Sequence, residues 1–575
     1  MAKHLSQKVG VCKYSDPVVV PSVSLESAHD NAHPSNKPTV SHGEVFTKRW
    51  VVETILDLAG YTADLDLAIK TAIEPACGDG AFLVPIAERL IESMTKHGHS
   101  VGDIEDSIRA FDLSSESANQ AKIALERVLI RHGLGSHSAR LANHWVSTTD
   151  YLLHEDDLKA DFVLGNPPYV RHENIDPEVS SKYRTRYPTM TGRADLFIPF
   201  YERSLLSLKD DGVLGFICAD RWMRNQYGRG LRQLISDQFA MELVIEMHEV
   251  DAFEEVVSAY PAITIIRNSQ QEATTVIRAN SEFGRTDADA VTEWIKSEEV
   301  TQSELRINGS ATRLNKWFEG SDSWPTGSPA RLRLLAELND RLQSIENVET
   351  GTRIGIGVAS GADGVFVTQS QADVEPSRLL PLAMSRDIAT GSVEWSKRYL
   401  VNPWEESGDL VDLREYPRLR TYFEGHSDQL KARHIAKKRP DTWYKTIDKV
   451  NHGLVHQPKL LFPDMKMSAH PVLEPGGLYP HHNLYFIVSR EWDLEVLGGI
   501  LLSRIADLFV DAYSVRMRGG TLRFQAQYLR KIRVPDPRDI ESKTADQLRR
   551  AFRHRNVEDA TTAACIAYGI TEIPD

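Results

Sequence analysis

The sequence is poor in cysteine: four residues, Cys12, Cys77, Cys218 and Cys565, lie scattered with no Cys-x-x-Cys pair. That excludes a disulfide scaffold and a thiolate zinc site and leaves isolated reduced thiols. Long apolar runs are also missing. The longest, such as Gly212 to Ala219, fall far short of the ~20 residues that cross a bilayer. Met1 to Gln7 leads into no signal-type stretch, so a cytoplasmic location with no membrane partner is expected. Basic residues are in deficit, 67 Lys and Arg against 81 Asp and Glu, giving a net charge of −14. Spread evenly, that balance would argue against a phosphate-rich partner. What the chain does have is 575 residues, 41% of them hydrophobic, enough for about two to four domains with their own cores. Disordered, collagen-like and coiled-coil classes are excluded as the main theme.

Residues 1–40 carry Pro, Ser, Asn and His without an apolar period and are expected to be a flexible leader. Helical spacing begins near Ser41, with Val45, Val51, Val52, Ile55, Leu56 and Ala59, and stops at Gly60. Short apolar strands then alternate with helices. Strands are predicted at Thr71–Glu74, Ser107–Asp112, Asp161–Gly165, Gly212–Cys218 and Glu242–Glu246, with helices over Phe82–Met94 and on to Leu129. This alternation implies a doubly wound α/β domain, a parallel sheet with helices on both faces, over residues 41–300. Residues 301–540 read as a second, mixed α+β domain, and 541–575 as a helical tail. There is no internal repeat.

Glu74-Pro75-Ala76-Cys77-Gly78-Asp79-Gly80 lies at a strand-to-helix turn, where glycines let backbone approach a ligand and the next helix presents its N–H groups. Alone, such a turn can be merely structural. Asp112, ending the next strand, can accept from both hydroxyls of a ribose, and Asp150, ending the one after, from an adenine amino group. Together they make a crevice for a nucleoside cofactor. The glycine spacing is not the dinucleotide fingerprint, so S-adenosylmethionine fits better than NAD. Asn166-Pro167-Pro168-Tyr169 follows a strand directly. Two prolines stiffen the backbone, so that the Asn166 side-chain oxygen and the Pro167 carbonyl aim at one point. Two such acceptors can grip an exocyclic amino group and stabilise a pyramidal, nucleophilic nitrogen, while Tyr169 stacks on an extruded base.

With these residues the chain resembles the γ-class N6-adenine DNA methyltransferases of type II restriction-modification systems, from about Gly43 to Pro535. The resemblance implies a Rossmann-like, S-adenosylmethionine-dependent catalytic domain followed by a target-recognition domain, acting on double-stranded DNA in the nucleoid. It also implies a separate cognate restriction endonuclease as companion. It gives Thr47, Glu74, Ala76, Gly78, Asp112, Asp150, Asn166 and Phe197 to the cofactor, and Asn166, Pro167 and Tyr169 to catalysis. Phe253 is the expected second aromatic against the flipped adenine, with Tyr260 its rival. No metal is expected.

Positive charge gathers in the second half, where Lys437, Lys438, Arg439, Arg516, Arg518 and Arg523 are the expected DNA contacts. Trp443, Tyr444, Tyr513, Phe524 and Tyr528 interleave with the bases, as on a nucleic-acid face. Two decoys are set aside. Asp441 with Asp464-Met465-Lys466 formally fits a magnesium-nuclease spacing, and His452 with His456 a zinc pair. Two rival functions remain: a methyltransferase for a protein glutamine or ribosomal RNA, which would not need some 250 further basic-aromatic residues, and a non-enzymatic DNA-recognition subunit.

Overall fold

The computed structural model describes residues 45–255, 260–296, 305, 307–369, 372–514 and 521–574. The predicted leader, Arg516 and Arg518 lie outside the described residues. Helix α1 (Arg49–Ala59) buries Val51, Val52, Ile55, Leu56 and Ala59 along one face and ends at Gly60, as the spacing predicted. Beyond it the chain builds a nine-stranded sheet in the order β3-β2-β1-β4-β5-β7-β6-β8-β9. The strands are β1 (Ala72–Glu74), β2 (Ile108–Asp112), β3 (Val146–Thr148), β4 (Ala160–Gly165), β5 (Leu208–Ala219), β6 (Ala240–Glu246), β7 (Pro261–Arg267), β8 (Thr274–Ala279) and β9 (Gly309–Leu314).

The sheet is mixed rather than parallel. β1 to β5 run together, but β7 inserts antiparallel between β5 and β6, and β9 closes the far edge antiparallel to β8. A β5–β6 helical crossover followed by a return hairpin strand leaves the same apolar pattern as a parallel strand, because β7 is buried on both faces too. The sheet also runs past residue 300, to Leu314. Helices do cover both faces. Phe162, Leu164, Val213 and Ile217 point to one core, with α1 and α2 (Leu83–His97). Val163, Leu214 and Phe216 point to the other, with the helices Phe197–Leu206 and Arg229–Gln238. Trp317, Trp324 and Leu332 fold back into this second core.

The remaining chain is mixed α+β. An antiparallel four-stranded sheet runs Arg353–Ile356, Leu484–Val488, Lys459–Pro463 and Val472–Glu474. A second joins Val367–Gln369, Arg398–Val401, Leu379–Ala383 and Tyr479–Pro480. The segment expected as a tail forms helices Ser542–Arg553 and Val557–Tyr568, whose Leu548, Phe552, Ala563 and Tyr568 share one core with Leu497 and Ile500 of the helix Leu494–Leu502. No helix among the described residues is long and apolar enough to cross a membrane.

Candidate active site

In the strand order, β1 stands between β2 and β4, so the chain switches direction across the sheet there and a crevice opens beyond the carboxyl ends of these strands. Glu74 ends β1, Asp112 ends β2, Asp150 follows β3, and Asn166 follows β4. Four residues far apart in sequence therefore line one opening.

The glycine turn is held by the crevice's own acid. Asp112 accepts from Gly78 N at 2.9 Å and from Ser114 N at 2.8 Å. Gly78 sits at φ 53° and Gly80 at φ 103°, a backbone that other residues adopt only with strain. Cys77 N donates to Phe111 O across to β2 at 2.8 Å, fixing the half-buried Ala76 beside it. Glu74 is 2% exposed and its Oε2 has no hydrogen-bond partner. Burial, with Asp112 and Asp79 nearby, pushes its carboxyl well above the usual carboxylate range. Asp150 accepts from Leu152 N at 2.9 Å and from the Tyr183 hydroxyl at 2.8 Å. Tyr183 carried no sequence signal, since a tyrosine on a polar helix is equally at home on the surface. Phe197 is 2% exposed and packs with Phe111 and Tyr151 in the core beneath the crevice. The apolar side chain left open beside Asp112 is instead Leu113, 67% exposed, which the motif reading passed over.

The catalytic tetrapeptide is braced from two directions. Asn166 Nδ2 donates to Val45 O at 2.9 Å and to Thr47 Oγ1 at 3.1 Å. Because a carbonyl can only accept, the Val45 contact fixes which end of the amide is NH2. Its oxygen then faces the other way, buried and without a partner. Thr47 in turn pairs with Phe253 in an antiparallel bridge, flanked by Lys48 N to Ala252 O at 3.0 Å and Glu254 N to Phe46 O at 2.9 Å. The segment before α1 is thereby clipped to the segment after β6, across the tetrapeptide. Phe253 is 6% exposed and meets Tyr169 edge to face, centroids 6.1 Å apart at 81°. The Tyr169 hydroxyl is buried without a partner, and burial raises its pKa well above that of an ordinary phenol. Tyr260 is 45% exposed, against His248 at 5.0 Å and Arg221 at 5.8 Å, away from that pair.

Residues 81–253 match the Eco57I restriction-modification methylase family. Over 536 residues, 92% of this chain and 92% of the relative, the chain is 42% identical to the Type II methyltransferase M.PaeR7I of Pseudomonas aeruginosa. The chain belongs to the Type II methyltransferases of restriction-modification systems. A second methyltransferase of this group, M.BstVI of Geobacillus stearothermophilus, is 38% identical over 92% of this chain and 97% of its own. The DNA-bound Type IIL restriction-modification enzyme MmeI shares the fold at 14% identity and a TM-score of 0.51, covering 92% of this chain and 74% of that one. S-adenosylmethionine is the methyltransferase's cofactor, and the crevice fits it. A glycine turn backed by α2, the half-buried Asp112 and the unpartnered Glu74 oxygen are polar features that a zwitterionic nucleoside can satisfy.

The methyltransferase's second half departs from the charge-count reading. Tyr513, Phe524 and Tyr528 are core residues, 6%, 0% and 6% exposed, so they cannot stack on bases. Arg523 is held in a two-pronged pair with Asp464, Nε at 3.2 Å and Nη2 at 2.5 Å. The same pair removes Asp464 from any nuclease site. His452 shares hydrogen bonds with Asn402 and with Trp404 O, both at 3.1 Å, which fixes it against the segment after the strand Arg398–Val401. Lys437, Lys438 and Arg439, at the end of the short helix His434–Lys438, are exposed and unpaired with any carboxylate among the described residues.

Proposed function

We propose that this methyltransferase transfers a methyl group to N6 of an adenine flipped out of duplex DNA at a specific sequence. The observation that carries the reading is the Asn166 Oδ1 atom: buried, oriented by Val45 and Thr47, and without a donor from the protein. A buried acceptor left unmade costs about 1–3 kcal/mol. A ligand N–H that supplies the missing donor recovers that cost.

An aromatic amino nitrogen is a weak nucleophile because its lone pair is delocalised into the ring. Asn166 Oδ1 accepts one N–H and the Pro167 carbonyl the other. Both bonds improve as the nitrogen becomes pyramidal, so they favour the transition state over the planar ground state. When bound, the cofactor supplies an electrophilic methyl group on a sulfonium. Thr47, Glu74, Ala76, Gly78, Asp112 and Asp150 would hold it, with Phe197 supporting the crevice from beneath. Tyr169 stacks on the flipped base and Phe253 closes its other side. Their edge-to-face contact fills the space between them, so base entry requires a ring to turn.

In the same reading, the nine-stranded sheet through Leu314 and the helices on it are the catalytic domain, and the α+β region beyond recognises the target, with Lys437, Lys438 and Arg439 on DNA phosphates. A separate endonuclease cutting the unmethylated site would be its companion in the cytoplasm. The test is incubation with labelled donor and varied duplexes, followed by mapping of methylated positions. Label on adenine N6 at one sequence is expected. Label on cytosine, or on protein or RNA instead of DNA, overturns the reading.

A further inference from the structure

Among the described residues, two groups of side chains bring imidazole and carboxylate atoms within 4.8 Å of one another. The first, Asp220, Glu246 and His248 beyond β5 and β6, already holds its cation. Arg224 is paired with Asp220 and lies 3.6 Å from Glu246, so a guanidinium neutralises the site.

The second group, Asp363, His481 and His482, has no such occupant. Asp363 pairs with no lysine or arginine among the described residues. Its Oδ2 lies 3.0 Å from His481 Nε2, while its Oδ1 accepts from the Ser360 hydroxyl. His481 is 3% exposed, and its Nδ1 is buried without a partner. The two imidazoles lie against each other, centroids 4.0 Å apart at 51°.

The backbone that carries these ligands is locked. Val358 N donates to Pro480 O at 2.9 Å, His482 N to Val358 O at 3.1 Å and His481 N to Ala383 O at 3.0 Å. Gly357 is required for this approach, since a Cβ there would stand 2.2 Å from His481 O. A preorganised set of two imidazoles and one carboxylate matches the donor preference of zinc-class ions, and ligand atoms on a tetrahedral zinc lie roughly 3.3 Å apart. His481 Nε2 and Asp363 Oδ2 hydrogen-bond at 3.0 Å, and an ion bound there would take the place of the shared proton.

We propose that Asp363, His481 and His482 form a binding site for one divalent transition-metal ion of the zinc class. Water completes the coordination, and the ion pins the loop 357–363 to the turn 481–483. The role is structural and independent of methyl transfer. The test uses the full-length chain, free of any affinity tag and stripped with a chelator, titrated with Co²⁺ and then Zn²⁺. One equivalent of Co²⁺ should bind with the visible absorption of a tetrahedral centre, and Zn²⁺ should displace it and raise the unfolding midpoint. His482→Gln and Asp363→Asn should each weaken uptake by more than roughly 100-fold, the upper end of what loss of an outer-shell partner alone costs. Both variants should fold and keep methyl transfer. The proposal fails if the wild-type chain takes up neither ion, or if both variants bind as the wild type does.

Discussion

The crevice of the nine-stranded sheet and the buried charges of the C-terminal half are satisfied in different ways. In the crevice of the nine-stranded sheet, Glu74 Oε2, Asn166 Oδ1 and the Tyr169 hydroxyl are buried with no partner. In the C-terminal half, charge is cancelled internally. Lys459, 0% exposed, is paired with the buried Glu474, Arg523 with Asp464, and Arg433 donates to the carbonyls of Ser360, Trp443 and Lys445. Unmet acceptors that line a crevice suit a ligand that donates to them, whereas charges paired inside a core hold the fold. The basic residues of the second half therefore divide into those that hold the fold and those, such as Lys437 and Lys438, that face outward.

The sharpest way to break this comparison is Asn166→Ala. Methyl transfer should fall by at least about 10³-fold, the upper range for removing one transition-state hydrogen-bond group, with cofactor affinity, read by calorimetry, largely kept. Full activity in this variant would end the assignment. On the scaffold side, Lys459→Met strands the buried Glu474 carboxylate and should cost about 3–5 kcal/mol, read as a lowered denaturant midpoint. Adding Glu474→Leu should restore most of it. If the single variant were neutral, the pair would not be structural.

Replacing Lys437, Lys438 and Arg439 together by alanine should weaken DNA binding and reduce the salt slope of log K by up to about three, whereas Arg523→Ala should chiefly lower stability. Equal salt slopes for the two variants would erase the distinction between outward and inward bases. The smallest effect concerns Glu74. Its carboxyl is raised by burial, so the folded chain keeps a proton that the unfolded chain gives up. That stabilisation is full below the ordinary carboxylate pKa of about 4.3 and is lost as pH rises through the higher folded value. Glu74→Gln should flatten this downward slope of melting temperature with pH. In the parent, cofactor affinity should rise over the same interval, because a cationic ligand favours the carboxylate.

Legibility followed the range of the interactions involved. The strands ending at Glu74, Asp112 and Gly165, the glycine turn and the Asn166–Tyr169 tetrapeptide are local patterns, and the sequence displays them directly. The antiparallel β7 was hidden because a strand buried on both faces has no directional signature. The pairing of Arg523 with Asp464 spans 59 positions, so a count of nearby charges could not register it. Tyr513, Phe524 and Tyr528 look like a stacking surface only until the helices of the C-terminal core cover them. The Thr47–Phe253 bridge joins residues some two hundred positions apart, though both had been singled out separately.

That bridge makes the strand ahead of α1 a keystone for chemistry encoded far downstream. A chain shortened to begin at Lys48 would retain the whole sheet and each crevice carboxylate, yet lose both acceptors that steer the Asn166 amide. Such a truncated protein should leave its target unmethylated even though its fold persists.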